Sequence, residues 1–171
     1  MIDFVIKFLA DYLVLVIALL GTACLLIDVR RGRYQVYGRM LMMGLTALLL
    51  AKLLTIIFHP DEVRPFIDQH QSPLATYINN PGFPSDHALF VMTIALAVWG
   101  ATKRVSTSIL LVIASLLVAF GRVIAKVHTP LDVTGGIVIA CVAALIWYGP
   151  YLFTRRRRGA YNKNHKRVEK G

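Results

Sequence analysis

Two short polar segments break the long apolar stretches of this 171-residue chain, and each carries a histidine near a carboxylate. The first is Pro84-Ser85-Asp86-His87, directly before an apolar run. The second runs from Arg122 to Asp132 and reads Arg-Val-Ile-Ala-Lys-Val-His-Thr-Pro-Leu-Asp. Thr129, then Pro130, with Asp132 at the third helical position, form a capping box with proline at its preferred place, so Asp132 has a structural task available. The same placement lets the Asp132 carboxylate reach the ring of His128. A carboxylate on one imidazole nitrogen fixes the tautomer and leaves the other nitrogen free to attack an electrophile. Ser85 is a natural N-cap. Capping accounts for the serine but not for His87 in the first turn of an apolar helix, where the partly positive N-terminus suits a bound anion.

Arg64 and Arg122 add two guanidinium groups of the kind that pair with phosphate oxygens. Two arginines, a helix N-terminus and two histidines describe a site for phosphate. The arginines offset charge on the equatorial oxygens, one histidine attacks phosphorus, and the other protonates the leaving oxygen. Plainer readings stand beside this one: Arg122 and Lys126 as side chains snorkelling to lipid phosphate, and Arg64-Pro65 as a loop contact.

The elements that must position these residues are membrane helices. Apolar residues make up 57% of the chain and charged ones 16%, against about 25% charge in soluble domains, and the mean hydropathy is +0.62. An ordinary cytosolic globule, a disordered chain and a collagen-like fibre are excluded. The two cysteines, Cys24 and Cys141, lie in apolar stretches and read as small hydrophobes rather than a disulfide scaffold. Apolar runs from 12 to 27, 40 to 58, 88 to 102, 105 to 121 and 133 to 154 imply an all-α polytopic membrane bundle of five spanning helices. The third run is short, which fits if Asp86 and His87 are buried in protein or line a wet cavity at its start. The first segment reads as a retained helix rather than a cleaved signal, since a positively charged leading region is missing and the apolar run continues past Cys24.

With five spans, fourteen basic residues fall on one side and five on the other. That bias puts the N-terminus outside and the C-terminus in the cytoplasm. Residues 1–154 then form a single membrane-embedded domain, and residues 155–171 a basic cytoplasmic tail. The Arg155 to Arg158 run reads as a topology anchor on anionic lipid, not as a nucleic-acid tail. Residues 59–85, which hold five of the seven prolines, and the connection from 122 to 131 share the outer side. Arg64, Ser85, Asp86, His87, Arg122, Lys126, His128 and Asp132 therefore converge there. Within the long loop, the stretch from Phe66 to Tyr77 is apolar enough to lie along the interface as a short helix.

These residues resemble the type 2 phosphatidic acid phosphatase (PAP2) family, which also includes vanadium haloperoxidases. Its signatures are a Lys followed by Arg-Pro, a Pro-Ser-(Gly or Asp)-His, and a Ser-Arg followed by His and Asp. Here they correspond to Lys52 with Arg64-Pro65, Pro84-Ser85-Asp86-His87, and Gly121-Arg122 with His128 and Asp132. The resemblance spans residues 50 to 150. It implies that His128 is the nucleophile forming a phosphohistidine, that Asp132 orients it, and that His87 is the general acid. It also implies that Ser85, Arg64, Arg122 and Lys52 hold phosphate oxygens, with no metal and no cofactor.

Two departures stand out: Gly121 replaces the usual serine, and eleven residues separate Lys52 from Arg64. Lys52 lies about 9 Å from the helix end at Phe58 by helical rise, within snorkelling reach of the site or simply of the interface; His59 is a nearby interfacial polar group. The Asp in Pro-Ser-Asp-His, the small size and the outward site look most like the bacterial undecaprenyl pyrophosphate phosphatases of this family. That likeness implies a polyprenyl diphosphate substrate in the cytoplasmic membrane, for cell-wall biogenesis, with the site facing the periplasm or cell exterior.

The alternatives are phosphatidylglycerophosphate or phosphatidate as substrate, a metal-dependent membrane hydrolase, and a non-enzymatic transporter or binding protein. Nearby arginines would repel a metal cation, and no internal repeat of the transporter kind is present.

Overall fold

A computed structural model describes residues 1–28, 34–58, 65–68, 72–77, 82–102 and 104–168, with side chains described through residue 150. Among these residues all regular structure is helical. Helix α1 (Ile2–Lys7), a π-helical turn (Phe8–Tyr12) and α2 (Leu13–Asp28) follow one another without a break. Then come α3 (Tyr34–Ile57), the single turn α4 (Pro65–Asp68), α5 (Asp86–Ala101), α6 (Val105–Ile124) and α7 (Pro130–Val168).

Four stretches are long and apolar enough to cross a bilayer: Ile2–Ile27, Tyr34–Ile57, Val105–Ile124 and Pro130–Pro150. Helix α5, with 16 residues, rises about 24 Å, short of the roughly 30 Å hydrocarbon core. The first stretch begins ten residues before the uncharged run read from sequence and takes in Asp3, Lys7 and Asp11. Asp11 is accommodated because it has partners inside the protein, described below. The backbone of α7 stays helical from the last span to Val168, past Pro150.

The short helix α5 is the central one and packs against α2, α3, α6 and α7. Ala88, Val91, Ala95 and Val98 are fully enclosed, and buried residues occur around most of its circumference. In lipid there is no hydrophobic drive between helices, so association depends on close packing of small residues. Ala88 of α5 comes against Gly136 of α7, Ala97 shares a buried cluster with Ala140 and Ala143, and large side chains such as Phe90, Trp99 and Leu145 point outward.

Among the described residues of the loop segment expected to be an interfacial helix, Pro65–Asp68 are helical and 72–77 are irregular. Its apolar residues dock on protein instead. Phe66 and Ala75 are buried with Ala10, Ala125 and Val127, the Phe66 and Tyr77 rings stand 4.7 Å apart, and the N–H groups of Phe66 and Leu74 donate to the carbonyls of Lys126 and Ala125 at 3.1 and 3.5 Å.

Candidate active site

Helix α6 ends at Ile124 in a tight cap. Lys126 is left-handed, with φ of 60°, and its N–H donates to the Val123 carbonyl at 2.9 Å, the inner bond of a Schellman-type ending. A non-glycine residue in this region carries about 1 kcal/mol of backbone strain. The turn reverses the chain within a few residues and delivers His128 to the start of α7.

There the capping box forms as its sequence requires. The Asp132 N–H donates to Thr129 Oγ1 at 3.2 Å, and the Thr129 N–H donates to Asp132 Oδ2 at 2.8 Å. The same oxygen lies 3.3 Å from His128 Nδ1. One carboxylate thus caps the helix and holds the imidazole, and both side chains are buried. With Nδ1 engaged, Nε2 is the ring nitrogen left for chemistry.

The Pro84-Ser85-Asp86-His87 segment is clamped to this helix start through backbone. The Ser85 N–H donates to the Asp132 carbonyl at 2.9 Å. Gly136, one turn on, permits the approach: a Cβ there would stand 2.8 Å from the Ser85 carbonyl oxygen and 3.0 Å from the Leu89 nitrogen. Ser85 occupies the N-cap position of α5, but its hydroxyl makes no capping bond. Its Oγ is fully buried and without a hydrogen-bond partner among the described residues. The capping role expected of this side chain is therefore not realised. A buried hydroxyl in that state costs about 1–3 kcal/mol, and one beside His128 and Asp132 is suited to an incoming acceptor.

His87, half-buried in the first turn of α5, lies in the electrostatic reach of both Arg122 and His128. It also lines a cavity of about 610 Å³ between α2, α3 and α5, whose walls are apolar, including Val14, Leu48 and Phe90. Lys52 and Asp86 line the same cavity, so Lys52, placed well inside α3, shares a space with His87.

Arg122 is 1% exposed, which overturns its reading as a snorkelling surface residue. Its Nη1 donates to Asp11 Oδ1 at 3.0 Å and to the Thr76 carbonyl at 2.7 Å. Asp11 Oδ2 in turn accepts from the Thr76 N–H at 3.0 Å and the Thr76 hydroxyl at 2.5 Å. The first helix can come this close because position 121 has no side chain. A Cβ on Gly121 would meet Leu9 Cβ at 2.9 Å and the Ala10 nitrogen at 3.0 Å. Arg64 and His59 lie outside the described residues.

Ser85, His87, Arg122, His128 and Asp132, read as one group from sequence, thus lie together, with Lys52 joined through the cavity. Reading the sequence missed Asp11, Thr76 and Gly136. For Asp11 a signal existed, because a carboxylate inside an apolar helix reads as functional by default. Among the described residues no group of three or more His, Cys, Asp or Glu side chains is arranged to hold a metal ion.

A family model described as "PAP2 superfamily" matches residues 36–156. The undecaprenyl-diphosphatase BcrC of Bacillus subtilis (strain 168) is 27% identical over 146 residues, covering 85% of this chain and 73% of that protein. The "Putative undecaprenyl-diphosphatase YbjG" of Escherichia coli (strain K12) is 36% identical over 88 residues, covering 49% of this chain and 44% of that protein. No solved structure matches the chain significantly.

Proposed function

The chain belongs to the PAP2 superfamily, and from that premise we propose that it removes the terminal phosphate of a polyprenyl diphosphate, undecaprenyl pyrophosphate, through a phosphohistidine. It is a phosphatase, hence a hydrolase, built on several apolar helices. The observation that carries the mechanism is the 3.3 Å pairing of His128 Nδ1 with Asp132 Oδ2, locked by backbone to the segment bearing Ser85 and His87. The substrate class rests on the two similar proteins named as undecaprenyl-diphosphatases.

In the first step His128 Nε2 attacks the terminal phosphorus, forming an N–P bond as the bridging P–O bond breaks. His87 gives its proton to the departing oxygen of the lipid monophosphate. In the second step His87 takes a proton from water, whose oxygen attacks the phosphohistidine. The N–P bond breaks, inorganic phosphate leaves, and His128 is restored. Asp132 holds the ring and balances the positive charge that grows on it, while Arg122, Arg64, Ser85 and Lys52 hold phosphate oxygens. The apolar cavity beside His87 takes the first units of the prenyl chain, which puts the diphosphate at the helix ends and the chain among α2, α3 and α5.

Residues 1–154 form one membrane-embedded catalytic domain, with α5 as the short third of five spans and 155–171 as a cytoplasmic tail. The loop charge bias orients the site outward, to the periplasm or cell exterior, in the bacterial cytoplasmic membrane. The test is phosphate release by purified protein in detergent, from undecaprenyl pyrophosphate and from phosphatidic acid, with chelator present and His128→Ala alongside. His128-dependent release, faster from the diphosphate, is expected. Faster release from phosphatidic acid overturns the substrate, activity lost to chelator or surviving in His128→Ala overturns the mechanism, and no release from either lipid overturns the function.

A further inference from the structure

Asp11 lies outside the three signature segments, on the only π-helical turn among the described residues, yet it touches more of the site's framework than any surface acid needs to. Its Oδ1 accepts from Arg122 on α6, and its Oδ2 accepts twice from Thr76 in the outer loop. Thr76 closes the triangle by accepting from the same Arg122 nitrogen through its carbonyl. Two segments far apart in sequence are thus pinned to one guanidinium on a third. π-Helical turns inside α-helices are frequently found at functional sites. Here the widened turn also lays the Leu9–Ala10 backbone against Gly121, next to the arginine it serves.

We propose that Asp11 is a positioning residue for phosphate binding: it offsets the buried charge of Arg122 and holds the guanidinium in its aim, and couples that aim to the loop segment around Thr76. The proposal rests on the reading of Arg122 as a phosphate ligand. A buried guanidinium without a counter-charge is strongly disfavoured, and its planar fork must be held in orientation to meet phosphate oxygens. Both bonds leave from Nη1, one of the three guanidinium nitrogens. The departure at Gly121 belongs to the same device, because a serine there would push the first helix, and Asp11 with it, away from Arg122.

A carboxylate this near a phosphate site has two opposite possible effects, which makes the proposal decidable. If Asp11 only repelled the anion, removing its charge would tighten binding; if it positions Arg122, removing it loosens binding. The experiment measures the Kd of orthovanadate, a phosphate mimic, by calorimetry on the full chain in detergent, together with the unfolding temperature, for wild type, Asp11→Asn and Asp11→Glu. Asp11→Asn is expected to weaken orthovanadate binding about tenfold, the scale of one charge-assisted hydrogen bond, and Asp11→Glu to recover part of it.

Unchanged or tighter binding in Asp11→Asn, even with a lowered unfolding temperature, overturns the proposal, as does wild type that binds no orthovanadate. Should Asp11→Asn not fold, Thr76→Val removes only the hydroxyl bond to Asp11. An approximately threefold weaker Kd is then expected, and an unchanged Kd overturns the coupling. Wild type that binds orthovanadate yet releases phosphate from neither lipid refutes the proposed function while leaving the Asp11 comparison decisive.

Discussion

Replacing Ser85 by alanine separates a helix cap from a phosphate ligand, because the two roles predict changes in different quantities. A serine that caps α5 through its side chain would cost about 1 kcal/mol of stability on truncation. The structure predicts otherwise: the backbone N–H and carbonyl of Ser85 bond to Asp132 and Leu89, and alanine keeps both. The hydroxyl is fully buried and makes no bond among the described residues, so its removal relieves a desolvation cost of about 1–3 kcal/mol. Stability in detergent should therefore stay level or rise.

Catalysis should move the other way. A hydroxyl hydrogen bond to a charged phosphate is worth roughly 1.5–3 kcal/mol, so kcat/KM should fall roughly 10- to 100-fold. The assay pairs steady-state phosphate release with denaturant or thermal unfolding of the same preparations. A variant about 1 kcal/mol less stable with unchanged kcat/KM would falsify the argument and return Ser85 to a capping role.

Three further outcomes follow from the same geometry. In Asp132→Asn the Thr129 N–H should hold the amide oxygen at the Oδ2 position and preserve the tautomer. The loss is then mainly the carboxylate charge, about 4 kcal/mol near 4 Å at a surface-like dielectric, less about 1 kcal/mol for the retained hydrogen bond. The net corresponds to roughly a hundredfold lower kcat at near-native stability, and a rate within a few-fold of wild type would exclude the electrostatic role. Gly136→Ala puts a Cβ 2.8 Å from the Ser85 carbonyl oxygen; backbone must yield, so about 1–3 kcal/mol of stability should be lost together with activity, and a fully active, stable variant would show the α5–α7 contact to be looser than described. At Lys126, with φ of 60°, Lys126→Gly should be about 1 kcal/mol more stable than Lys126→Ala, since both lack the lysine side chain and differ in backbone freedom; equal stability would remove the left-handed turn as a constraint.

Helical class, apolar spans and chemical groups were legible in the residues alone, and for local reasons. Apolar run length is set by lipid thickness, and the capping box at Thr129 and Asp132 spans only four residues, so a reading by spacing anticipates its hydrogen bonds. The 3.3 Å approach of His128 to Asp132 follows from the same turn. Where contacts join distant parts of the chain, spacing carried no such information. The apolar residues from Phe66 to Tyr77 suited an interfacial helix equally well, until burial of Phe66 and Ala75 against Ala10, Ala125 and Val127 made docking on protein the better use of them. Ser85 read as a cap because sequence shows the residue type but not the direction of its hydroxyl.

Gly121 read only as a departure from the usual serine, and packing reveals the room it leaves for Leu9 and Ala10. Asp11 lies 111 positions away from the arginine it holds. Local hydrogen bonding and hydropathy are written residue by residue; the partner of a buried charge is decided by which helices pack together, and that is settled only when the whole bundle closes.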